Sequence, residues 1–171
     1  MKRILKIVIP FLLAVPPLCA QDRVEALRAD VQFFADSLQT GRACGTGGAQ
    51  AAAFYLLRQL RDLGLRTTVQ SFDAGGHAGH NVVAVTPGWY RSYIVVGAHF
   101  DGLGTLDGKC YPGADSNASG VAALLALARS LTGTAQGPTG LIFVAFDGYN
   151  ADMSGSRAFL EHFRTDRKSV V

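Results

Sequence analysis

Cysteine is scarce in this chain, tryptophan scarcer still, and charge is thin. Three cysteines in 171 residues are too few for a small scaffold held together by disulfides. With 17% charged against 49% hydrophobic residues, the chain is not one kept unfolded by polarity and repulsion. The longest apolar run, Ile7 to Leu18, is too short to span a bilayer comfortably. Repeats and low-complexity segments are absent. Lysine and arginine nowhere gather into a patch, so the formal charge of +3 gives no nucleic-acid footprint and no nucleic-acid partner is expected.

What is present begins with a leader. Lys2, Arg3 and Lys6, the apolar run, and then Cys19-Ala20-Gln21 have the layout of a secretory signal peptide over residues 1–20, cleaved after Ala20. A lipidated Cys19 fits less well, because Pro17-Leu18 are not the small residues expected before it. The mature chain is thus expected to be secreted or periplasmic. Three basic residues leave with the leader and two more lie in the last six, so residues 21–165 carry 11 Lys+Arg against 12 Asp+Glu. Export leaves Cys44 and Cys110 in an oxidising compartment, where they are expected to form a disulfide. That bond would contribute ~4 kcal/mol by loop closure; the alternative is two buried free thiols.

One globular domain is expected. Val24, Leu27, Val31, Phe34 and Leu38 recur at three- and four-residue spacing and predict an amphipathic helix over 22–38. A Gly-rich turn, 41–48, leads to a second helix over 49–63, with Ala51, Phe54, Leu57 and Leu60 as its apolar face and Gly64 as its stop. Residues 67–72 and 81–86 read as strands. The nearly unbroken apolar runs 93–98 and 141–146 read as central strands covered on both faces. The Ala/Leu-rich segment 118–131 between them makes a strand–helix–strand crossover, and a last helix follows over 156–163. Together these predict a three-layer α/β sandwich with a mixed, mainly parallel sheet. The chain stops one helix after a central strand, with nothing further to cover the sheet edge, so it is expected to be incomplete at its C-terminus. Residues 166–171, DRKSVV, match one reading frame of a common sequencing adapter and are expected to be a non-native tail.

The chemistry concentrates between Gly97 and Gly120. His99 and Asp101 close a strand, and their two-residue spacing puts both side chains on one side, where the carboxylate can accept a hydrogen bond from the imidazole. Asp115 follows on the loop before the helix, at the strand's carboxyl end, where open α/β sheets collect ligands. One histidine and one aspartate suit zinc.

The motifs GRxCGTGG at Gly41, Asn81-Val82-Val83-Ala84, VVGAHFD at Val95, YPGADSNASGVAALLALAR at Tyr111, FVAFDG at Phe143 and GSRAF at Gly155 resemble the co-catalytic zinc exopeptidases of the bacterial leucyl aminopeptidase and aminopeptidase S type. The resemblance implies the phosphorylase/hydrolase-like fold of that family, with residues 21–165 as the N-terminal portion of the peptidase domain. It implies His99 as a zinc ligand, Asp101 as the carboxylate that orients it, and Asp115 as the ligand bridging two zinc ions, followed by a cis Asp115–Ser116 peptide.

The family's next motif, FVAFDGEE, supplies the general base and a further ligand. Here that register holds Tyr149 and Asn150. A phenol of pKa near 10 is a poor base at neutral pH, and an amide oxygen is a weaker zinc ligand than a carboxylate. Asp152 is two residues out of register, and His77, His80 and His162 are expected to face solvent. Two further family ligands, an acid and a histidine, are expected past Val171. The expected function is a secreted zinc exopeptidase acting on peptides, with one or two zinc ions in the intact protein, weak or no zinc in this chain, and no peptidase activity for the chain as given. The alternatives are a non-catalytic peptide-binding domain and a relative of the secreted glutaminyl cyclases, which share the acid pair.

Overall fold

The computed structural model describes residues 18–133 and 137–165. Most of the expected leader, and the whole of the expected tail, lie outside the described residues. In chain order the elements are α1 (Leu18–Ala35), α2 (Gly47–Asp62), β1 (Arg66–Asp73), β2 (Ala78–Val85), β3 (Ser92–His99), β4 (Gly104–Leu106), β5 (Lys109–Tyr111), α3 (Ser119–Leu131), β6 (Thr139–Phe146) and α4 (Ser154–Thr165). No helix among the described residues is long and apolar enough to cross a membrane.

Four strands form one sheet in the order β1-β2-β6-β3, and β4 and β5 form a separate small hairpin. The sheet is mixed as expected, but among the described residues its pairings are not mainly parallel. β1–β2 and β2–β6 run antiparallel and only β3–β6 is parallel. The cause is the connection Ala74–His77, which is too short for a parallel crossover, whereas β3 and β6 are joined through α3.

Alternation along β2 and β6 builds the three layers. Val82, Ala84, Phe143 and Ala145 face a core shared with Phe34, Leu56, Leu60, Val121 and Leu125 of α1, α2 and α3. Val83, Val85, Ile142 and Val144 face the other way, onto Phe159 of α4. Each large apolar side chain buried in full contributes about 1.5–3 kcal/mol, and β2 and β6 are both buried on both faces.

Three elements depart from the sequence expectation. Among the described residues the run 93–98 is not a strand covered on both sides: β3 lies at the edge of the sheet, with Ile94 57% and Val95 46% exposed. The apolar face of α2 is Ala49, Ala52, Ala53, Leu56 and Leu60, and Phe54 is exposed; small alanines let the helix approach the sheet closely, which turns the bulky ring outward. In α1, Val24 is exposed and the helix ends at Ala35, because Asp36 caps a separate turn, Ser37–Gln39, that leaves Leu38 exposed. Asp30 is buried instead, held by Arg129 and by the Tyr55 hydroxyl at 2.7 Å.

Candidate functional site

Parallel register fixes where the site lies. His99 pairs with Phe146, and the Phe100 N–H continues the ladder to the Phe146 carbonyl at 2.9 Å. The turns after β3 and β6 therefore leave the sheet side by side, at the carboxyl end of two parallel strands.

His99 Nδ1 lies 3.3 Å from Asp101 Oδ1 and 3.2 Å from the Asp101 carbonyl oxygen. A carbonyl oxygen can only accept, so these contacts place the proton on Nδ1 and leave the Nε2 lone pair free. The predicted His99–Asp101 pairing is present. Asp101 is fully buried, and its second oxygen accepts the Asn150 backbone N–H at 3.2 Å and the Asn150 side-chain amide at 3.4 Å. Tyr149 lays its ring on His99, 4.1 Å between centroids with planes 16° apart. Asn117 donates to the His99 carbonyl at 3.0 Å and accepts the Gly120 N–H at 3.2 Å, tying the loop before α3 to the strand end.

Beside this cluster is a cavity of about 560 Å³ bordered by His99, Asn117, Leu124, Phe146, Tyr149 and Met153, mostly apolar in lining. Asp115 does not line it. It is exposed on the wide turn Ala114–Ala118, where its carbonyl accepts the Ser119 hydroxyl at 3.0 Å. The cis peptide falls at Ser116–Asn117, one residue past the expected Asp115–Ser116.

Asp152 does not stand in for a missing acid; it is exposed and paired with Arg157 at 2.6 Å. His77 and His162 are exposed as expected, while His80 is half-buried with Nδ1 3.1 Å from the Ser71 hydroxyl.

The expected Cys44–Cys110 disulfide is not formed: both are free thiols. Burial first, and then the nearby Asp147 carboxylate, push the Cys44 thiol up to about 12. Cys110 sits in the β4–β5 hairpin. Asp147, which sequence reasoning passed over, is 2% exposed and accepts the His80 and Gly148 N–H groups. Burial raises its carboxyl above the ordinary value, partly offset by those two bonds. Arg42 was also missed, although it stands inside the GRxCGTGG motif. Its full burial in a Gly-rich turn has no periodicity to announce it.

The sequence pattern of peptidase family M28 matches residues 81–171, more than half of the chain. The chain belongs to peptidase family M28. It is 27% identical over 158 residues to leupeptin-inactivating enzyme 1 of Streptomyces exfoliatus, covering 91% of this chain and 35% of that protein. Among solved structures it resembles a zinc aminopeptidase from Bacillus subtilis, with TM-score 0.71 and 12% identity over 81% of this chain and 64% of the other. It also resembles Fimbriiglobus ruber glutaminyl cyclase, with TM-score 0.61 and 24% identity over 74% and 45%. At these identities the structural likenesses establish the fold alone. The chain spans about a third of the Streptomyces enzyme's length.

The family implies zinc, and the donors present do not fit a two-zinc centre. Among the described residues no three His, Cys, Asp or Glu side chains gather to hold an ion. Asn150 donates its amide nitrogen to Asp101, which leaves only a neutral amide oxygen as a donor, weaker for zinc than the carboxylate the family places there. Asp101 spends both oxygens on His99 and Asn150.

Proposed function

We propose that this chain is an exported, aminopeptidase-like M28 domain that receives peptides and, as it stands, does not hydrolyse them. One observation carries the reading: at the positions of the family's two glutamates, the Tyr149 ring covers His99 and Asn150 donates both its backbone and side-chain N–H groups to Asp101. Hydrolysis needs a group that takes a proton from water near neutral pH, and neither a phenol nor an amide does this efficiently. The mostly apolar cavity at the strand ends suits the side chain of a peptide residue, and His99 Nε2 offers an acceptor at its border. Export rests on the leader-like residues 1–20.

The test is direct. Purified chain incubated with zinc and dialysed is expected to retain less than one ion per chain and to release no chromophore from a leucyl anilide, while replacing Tyr149 and Asn150 together by glutamate raises zinc retention. Turnover by the unaltered chain would overturn the proposal. Export is tested by the mature N-terminus, expected at Gln21.

A further inference from the structure

Arg42 is the largest fully buried side chain of the fold, at 0% exposure. Among the described residues no carboxylate hydrogen-bonds it. Its Nε donates to the Phe100 carbonyl at 2.8 Å, one terminal nitrogen donates to the carbonyls of Phe34 and of Pro112, the latter at 2.7 Å, and the other donates to the Gly113 carbonyl at 3.2 Å. A guanidinium has five N–H donors in a fixed plane, and four bonds from one such plane fix the relative positions of three chain segments. The backbone adds to the grip: Gly102 N–H bonds the Arg42 carbonyl at 3.0 Å and Gly104 N–H bonds the Gly41 carbonyl at 3.1 Å.

The segments so joined are those of the candidate site. Phe100 stands between His99 and Asp101, and Pro112-Gly113 lead into the turn that carries Asp115 and Asn117. The glycines around Arg42 leave no slack. A Cβ on Gly41 would lie 2.5 Å from the Gly104 oxygen, and one on Gly102 would lie 2.4 Å from the Gly41 oxygen. Burial lowers the affinity of the guanidinium for its proton, and the nearby Asp101 carboxylate offsets part of that; the positioning itself rests on the four hydrogen bonds.

We infer that Arg42 is a positioning residue: through the Phe100, Pro112 and Gly113 carbonyls it sets the placement of His99 and Asp101 against the loop before α3. This gives the GRxCGTGG turn a role within the site. The inference rests on reading the His99–Asp101 pair as the centre of the peptide site, and its test uses neither metal nor substrate, so it stands or fails separately from the test of hydrolysis.

The test reads the His99 ring protons by NMR in the full chain at fixed pH. Stacking on Tyr149 displaces them upfield, and Tyr149→Leu identifies the displacement by abolishing it. R42K keeps the charge but cannot reach the carbonyls together, so a folded R42K with native circular dichroism is expected to lose most of the displacement, and R42M to lose it at least as fully. Asp30→Asn, which weakens the buried Asp30–Arg129 pair away from the site, is expected to keep it despite lower stability. A folded R42K or R42M with the wild-type displacement overturns the inference. A further measurement needs no variant: in the wild-type chain the Arg42 Nε–H is expected to exchange with solvent as slowly as the amides of β6, and rapid exchange overturns the clamp.

Discussion

Strands β3 and β6 are parallel neighbours of eight residues each with similar apolar sequences, yet their surroundings differ. Ile142, Phe143, Val144 and Ala145 of β6 are all at 0% exposure, whereas Ile94 and Val95 of β3 are about half exposed. Position in the sheet makes the difference: β6 has a strand on each side and helices on both faces, and β3 has a sheet partner on one side only among the described residues. The turns that follow differ in the same sense. After β6, the chain is fixed by buried side chains of the sheet itself, with Asn81 accepting the Asp147 N–H at 3.0 Å and donating to the Gly155 carbonyl at 2.8 Å. After β3, one ladder bond continues from the Phe100 N–H to the Phe146 carbonyl, and Arg42 and Asn117 add a grip from outside the sheet.

The sharpest test of this contrast is a pair of truncations. Phe143→Ala is expected to destabilise the fold by about 3–5 kcal/mol, the range for emptying a packed aromatic site. Ile94→Ala on β3 is expected to change stability by less than ~1 kcal/mol, since half of that side chain already meets water. Urea unfolding of the two variants decides it. Equal losses would mean that β3 is covered in solution by something that shields its edge.

Next in size is the pair of asparagines that hold the two turns. Asn81→Ala leaves the buried Asp147 N–H without its partner and removes the bonds to Gln70 and to the Gly155 carbonyl, and it is expected to lower stability by about 2–3 kcal/mol, the upper part of the penalty for unsatisfied buried groups. Asn117→Ala exposes its partners to solvent more readily, because the residue is only half-buried, and about 1 kcal/mol is expected. If thermal unfolding ranks them the other way, the anchoring of the two turns has been assigned to the wrong residues.

The sequence revealed the elements and hid their depth. Apolar runs at 93–98 and 141–146 announced two strands, but a run without alternation is the same whether the strand is central or at an edge, and the neighbour that decides it lies elsewhere in the chain. The amphipathic faces of α1 and α2 were misplaced for a related reason: hydrophobic spacing favoured Phe54, while packing distance favoured the alanines. Within the site, the pairing of His99 with Asp101 was legible because strand geometry over two residues is nearly rigid. Asp115 was placed at the site from its loop position at the strand's carboxyl end, with the bridging role added by family likeness, and the structure leaves it exposed and outside the cavity that His99 borders. Arg42 and Asp147 act through bonds to residues far along the chain, which no local pattern contains.

Asp147 supplies a pH-dependent contrast between the two turns. Its carboxyl is raised by burial above the ordinary 3.8, so the folded chain holds the proton more tightly than the unfolded one. By linkage, stability is fullest below the unfolded value and declines as pH rises through the folded value, where the buried group must ionise. Asp147→Asn removes that decline. A wild-type stability curve parallel to that of Asp147→Asn above pH 4 would mean the group is not buried in solution.

The smallest expected effect is a rate, and it reads the same carboxylate from its neighbour. A Cys44 thiol with a pKa of about 12 is ionised at pH 8 in about one molecule in ten thousand, and the thiolate is the form that alkylating reagents attack. Iodoacetamide is therefore expected to modify Cys44 far more slowly in the native chain than in urea. Asp147→Asn removes a negative charge that opposes the thiolate, so it should speed the native reaction while leaving the rate in urea unchanged. If the variant reacts no faster, burial alone protects Cys44.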